Sequence, residues 1–127
     1  MPFAGALGIE VLASAREEVR ARLPWAEARC TAGGVLHGGA IMALADSAAA
    51  TCAFLNLPEG ASGTATIQSS TSFLRAVRAG AVEAVSRPLR SGRSVIVVET
   101  DVLDAEGRPV ARVTQSQAVL RAESGGA

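Results

Sequence analysis

Residues 39–55 run through Ala, Ile, Met, Leu and Phe with small polar breaks, one acid (Asp46) and no proline. Strong helix formers dominate this stretch, and apolar residues occupy nearly its whole circumference, the mark of a buried central helix. Asn-Leu-Pro-Glu-Gly at 56–60 ends it by ordinary stop chemistry. The sequence offers no second long helix, so whatever else folds must wrap around this one.

The remainder reads as strands. Residues 64–74 are rich in Thr and Ser with Ile67 and Phe73, 81–89 alternate with valines, 94–102 carry Val-Ile-Val-Val, and 110–120 alternate again. Turn signals at Ala79-Gly80, Ser91-Gly92 and Asp104 to Gly107 separate them, which predicts four consecutive strands in an antiparallel meander. Upstream, 9–13 and 19–23 predict two more strands, the second alternating apolar and charged residues before Pro24 closes it. Residues 1–8 predict an apolar lead-in of one helical turn, residues 25–36 an irregular link, and the tail from about 122 should fray. The order of two strands, one helix and four strands predicts an α+β fold, a long antiparallel sheet wrapped around one central helix. The sheet covers one side of that helix, and the other side needs a second subunit. At 127 residues, 1–127 is expected to be one domain.

Composition narrows the function classes. The formal net charge is zero, so nothing general favours nucleic acid, and the twelve cations are all arginine. Few charges and few aromatics suggest surface hidden by self-association. Two cysteines, Cys30 and Cys52, make no disulfide framework and read as small buried hydrophobes. No basic-then-apolar leader opens the chain, so a cytoplasmic location is expected. A membrane span over 40–57 is rejected, because Asp46 would cost about 3 kcal/mol at a bilayer centre. His37 is the single histidine, so neither a metal cluster nor a His-based triad can be built within one chain; no metal and no cofactor are expected.

The chemistry-bearing segment is Gly33-Gly34-Val35-Leu36-His37-Gly38-Gly39-Ala40, which opens the helix, with Asp46 nine residues after His37. Unpaired N–H groups at a helix start favour developing negative charge. A carboxylate on an apolar helix must be partnered or have a raised pKa, and perturbed acids concentrate at functional sites. Together these are two parts that acyl transfer requires.

These residues carry a resemblance. The order of elements resembles the hotdog fold, and residues 34–40 followed by Leu44-Ala45-Asp46 are similar to the signature of the phenylacetic-acid-degradation (PaaI-like) acyl-CoA thioesterases. Phe73-Leu74-Arg75, Gly80, Arg90-Ser91-Gly92-Arg93 and Gly107-Arg108 sit where that family has similar punctuation. The resemblance implies a homodimer or homotetramer that hydrolyses a thioester of coenzyme A, each site shared between subunits. It implies Asp46 as the acid that activates water or attacks the carbonyl, Gly38 as the backbone donor to the thioester oxygen, and His37 as an orienting residue. Thr31 stands where relatives usually have Asn or Gln to place the water, and Ala76 where they often have proline.

Lesser candidates complete the set. Gly39 shares the helix start. Thr64 or Thr66 could face the acid from the following strand, where the family often has a hydroxyl. Arg87, Arg90 and Arg93 gather around Ser91 and suit the phosphates of coenzyme A. Ser47 and Thr51 read as backbone-bonding fillers. The small residues Ala43, Ala49, Ala50 and Ala53 leave room for an aryl or medium-chain acyl group. Two rivals stay open: a non-catalytic acyl-CoA-binding hotdog protein, and an enoyl-thioester hydratase, whose usual histidine motif is absent.

Overall fold

The computed structural model describes residues 1–122, so the expected fraying of the tail falls almost entirely outside the described residues. The chain order is α1 (Pro2–Leu7), β1 (Glu10–Ser14), β2 (Val19–Pro24), a 3-10 turn (Glu27–Arg29), α2 (Gly38–Leu55), β3 (Gly63–Phe73), β4 (Ala81–Ser91), β5 (Val95–Leu103) and β6 (Pro109–Leu120). The elements fall where apolar periodicity and turn residues place them, because that pattern sets which face can be buried. All six strands form one antiparallel sheet in the order β1-β2-β4-β5-β6-β3.

The meander is only partly realised. β4, β5 and β6 are sequential neighbours, but β3 pairs with β6 rather than β4. Residues 74–80 form the crossing link, and seven extended residues reach about 23 Å. Three strand spacings are about 14 Å, so a link read as a tight turn is long enough to cross the sheet.

The sheet curls around α2. Val19, Ala21, Leu23, Val82, Ala84, Ile96, Val98, Val102 and Val113 from its inner face pack with Ile41, Leu44, Ala45, Ala48, Ala49, Cys52 and Ala53 of the helix. The alanines let sheet and helix approach closely. Met42, Asp46 and Phe54 are exposed, a stripe at four- and eight-residue spacing on one face. Beside it lies β3, an edge strand with Ile67 and Phe73 exposed. The expected uncovered side of the helix is therefore present, and the acid lies on it.

Candidate functional site

The loop before α2 is built by hydrogen bonds that glycine makes possible. The Gly34 N–H donates to the Thr31 carbonyl (3.1 Å), the Thr31 N–H to Val35 (2.8 Å), and Cys30 bridges to Leu36. Gly34 has φ 76°, the left-handed region that a side chain would strain. The Leu36 N–H donates to Val77 and the His37 N–H to Arg29, at 2.8 and 2.9 Å, which fixes where the helix begins.

His37 is the N-cap residue. Its Nδ1 accepts from the Gly39 N–H at 2.7 Å, so the neutral ring carries its proton on Nε2. A Cβ on Gly39 would stand 2.9 Å from that nitrogen, so the cap requires glycine there. The consequence for Gly38 is direct. Gly39 spends its N–H on the histidine, whereas the Gly38 N–H has no acceptor among the described residues. The Phe73 ring lies over Gly38, 3.2 Å from where a Cβ would be. Both residues border a pocket of about 410 Å³ with Thr31, Ile41 and Arg75. Thr31 is exposed, and its hydroxyl makes no hydrogen bond among the described residues, so the expected water-holding position is open but loosely furnished.

Asp46 is gripped by neutral donors alone. Its Oδ1 accepts from Gln115 Nε2 at 2.8 Å and from the Thr66 hydroxyl at 3.2 Å. Gln115 and Gln117 are both 1% exposed. The Gln117 amide donates to the Thr66 hydroxyl (2.7 Å) and to Gln115 Oε1 (2.8 Å), and Gln115 also donates to Ser69 (3.3 Å). A β-bulge makes this possible. Thr66 pairs with Gln117 and Ser69 with Gln115, the register slipping at Ile67. The extra residue puts Thr66 and Ser69, three apart, on the same inner face. Of the two threonines considered, Thr66 reaches the acid; Thr64 lies opposite Val119 and makes no hydrogen bond to it.

Gln115, Gln117 and Ser69 were not anticipated from sequence. A signal existed: glutamines at two-residue spacing continue the inward row of Ala111 and Val113, where apolar residues belong. Reading it required knowing which face of β6 points inward.

The remaining candidates separate. Arg87 donates to Glu18 at 2.6 Å on the outer face of the sheet, so it is already paired. Arg90, Ser91 and Arg93 are exposed around the β4–β5 hairpin. Ser47 and Thr51 donate to the carbonyls four residues back, as fillers do. Burial pushes the Cys52 thiol up to about 11, so it stays protonated and inert near neutrality.

Residues 33–111 match the thioesterase superfamily. The chain belongs to that family. A thioester hydrolase of hotdog fold therefore carries the geometry above. ComA2 of Bacillus subtilis is 29% identical over 116 residues, 91% of this chain and 92% of that protein. The proofreading thioesterase EntH of Cronobacter sakazakii is 36% identical over 87 residues, 68% and 63% of the two chains. Among solved structures, the thioesterase HI1161 of Haemophilus influenzae superposes with TM-score 0.90 at 27% identity, covering 98% of this chain and 87% of that one. PaaI of Escherichia coli, from the phenylacetic acid degradation operon, shares the fold at TM-score 0.86 and 20% identity (94% and 85% covered). So does a hypothetical thioesterase protein of Streptococcus pneumoniae solved with coenzyme A, at TM-score 0.81 and 23% identity (92% and 89% covered).

The two candidate groups, the Asp46 carboxylate and the Gly38 N–H, do not meet within one chain. Asp46 is eight residues beyond Gly38 on a continuous helix, about 12 Å along its axis. An attacking oxygen and an oxyanion donor must both sit about 3 Å from adjacent atoms of one carbonyl.

Proposed function

We propose that this protein hydrolyses aryl- or medium-chain acyl-CoA thioesters at sites shared between two copies of the chain, with Asp46 from one copy and the Gly38 N–H from the other. The single observation carrying this reading is the pairing of a carboxylate held by neutral donors with an unspent amide hydrogen too far away to serve the same carbonyl. The exposed stripe of Met42, Asp46 and Phe54 and the open edge of β3 support this reading, since they leave apolar surface beside the acid for a second copy to cover. The coenzyme A named for the Streptococcus pneumoniae structure supports the choice of thioester.

In this mechanism Asp46, ionised and accepting on Oδ1, either takes a proton from water or attacks the thioester carbonyl through its other oxygen. The Gly38 N–H stabilises the oxyanion that forms, and its collapse breaks the C–S bond. In the first route the coenzyme A thiolate takes up the proton that Asp46 removed from water. In the second, water then cleaves the acyl–Asp46 anhydride, releasing the acid, restoring the carboxylate and supplying the thiolate's proton. His37 acts by spending Gly39's N–H and so fixing the helix start. Thr31 borders the same pocket and is the candidate to hold a water there. Gly39, Thr64 and Thr66 line the substrate side, and Arg90, Ser91 and Arg93 contact the nucleotide phosphates. Arg87 is committed to Glu18 and contributes less. The protein works in the cytoplasm as a homodimer or homotetramer without metal or cofactor.

A free-thiol assay across aryl- and fatty-acyl-CoAs tests the activity; binding without thiol release marks a non-catalytic binder. Hydroxylamine capture of an acyl group on Asp46 selects the covalent route over general base. The shared site is tested by mixing two inactive variants, Asp46→Asn and Gly38→Pro. Proline suits the first helical position but removes the N–H, and Gly38→Ala controls for crowding against Phe73. A mixed dimer contains one site free of both defects, so activity returns on mixing; if both parts served one chain's own site, it would not.

A further inference from the structure

Resting on that reading, we propose that Gln115 and Gln117 are positioning residues that decide which oxygen of Asp46 does the chemistry. Four side chains form a closed ring: Gln117 donates to both Gln115 and Thr66, and each of these donates to the same carboxylate oxygen, Oδ1. The directions are forced. An ionised carboxylate only accepts, so Thr66 must point its hydrogen at Asp46 and leave its oxygen for Gln117. Gln115 must likewise present its NH₂ to Asp46, leaving its own oxygen for Gln117. Gln117 has two amide hydrogens, and the ring uses both.

No residue among those described bonds Oδ2. Two donors on one oxygen and none on the other make the carboxylate asymmetric. Oδ1 is the anchored atom and Oδ2 the one offered to water or carbonyl. Because Gln115 and Gln117 are buried, they have no bulk water to bond instead, and turning either amide over would set oxygen against oxygen. The Ile67 bulge belongs to the same device, since it brings Thr66 and Ser69 to the glutamines. Neither glutamine touches the open face beyond Asp46, so both act through the acid.

The test is steady-state kinetics on Gln115→Met and Gln117→Met beside Asp46→Asn. Methionine keeps the volume and removes the donor. Gln115→Met should lower kcat about 100-fold and Gln117→Met about 10-fold, with KM changed less than about threefold, since misplacing a reacting group by about 1 Å costs this much. Their joint effect should be less than the product of the single effects, because both act on one oxygen. Folded variants with wild-type kcat, beside an inactive Asp46→Asn, overturn the positioning role and leave the proposed function standing. An active Asp46→Asn removes the proposed function itself, and the positioning role with it. If Gln115→Met fails to fold, Gln117→Met decides alone: an unchanged kcat overturns the proposal.

Discussion

The outer face of the sheet and the cleft between α2 and β3 treat charge in opposite ways. On the outer face, acids meet arginines along and across the strands: Glu10 with Arg22, Arg20 with Glu18 and Glu83, Arg87 with Glu18, and Arg112 with Glu99 and Asp101. The hydrogen bond from Arg20 holds the Glu18 carboxyl below its ordinary range, with Arg87 adding to it against partial desolvation. In the cleft, Asp46 receives only amide and hydroxyl donors, with no cation among the described residues. A carboxylate neutralised by arginine is a structural element. One steadied by neutral groups keeps its charge uncompensated, which is the physical difference between the two regions.

Removing charge at each region breaks or sharpens this contrast. The largest effect belongs to the cleft: Asp46→Asn should cost about a thousandfold in kcat, within the range for losing a general base. Its melting temperature should hold, because the asparagine oxygen can accept from Gln115 and Thr66 as before. Equal losses of activity and stability would make Asp46 structural, like the outer acids.

Next comes the core that both regions share. Leu44 is fully buried beneath the sheet, and Leu44→Ala should destabilise by about 3 kcal/mol in denaturant unfolding. His37→Ala should cost about 1 kcal/mol through the lost cap. Activity should fall only partly, because the Gly38 N–H remains; complete loss would give the ring a direct chemical part.

The smallest effect belongs to the outer face. Glu18→Gln should leave kcat unchanged, since the pairs there are exposed, screened and remote from Asp46. The sign of its pH dependence is still fixed. With the folded carboxyl held low, its contribution to stability is present above the unfolded value and is lost as pH falls through the folded one. Urea midpoints of wild type and Glu18→Gln should therefore converge on acidification. Cys52 has the opposite sense: its contribution is present below the ordinary thiol range and disappears as pH rises through about 11.

Much of the architecture was legible because periodicity and turn residues are local. The helix over 39–55 differs by one residue from α2 (Gly38–Leu55), and each of the six strands lies within a few residues of its expected place. The partner of β3 was not legible. Strand pairing is a long-range choice, and residues 74–80 read equally well as a turn or as a crossing. That α2 has one side left open by the sheet was legible. Which residues stand on that side, Met42, Asp46 and Phe54, was not, because apolar residues all round a helix do not mark the face the sheet leaves bare.

The sequence alone determined the candidates for the site: one acid on an apolar helix, and a histidine and glycines at its start whose resemblance implied thioester hydrolysis. These follow from residue type and spacing along one continuous segment. Only the tertiary structure decided how the acid is held. Gln115 and Gln117 come from the last strand, 69 and 71 residues beyond Asp46, and Thr66 and Ser69 join them through a bulge. Hydrogen bonding depends on distances of about 3 Å in space, and spacing along the chain carries no record of them until the sheet closes.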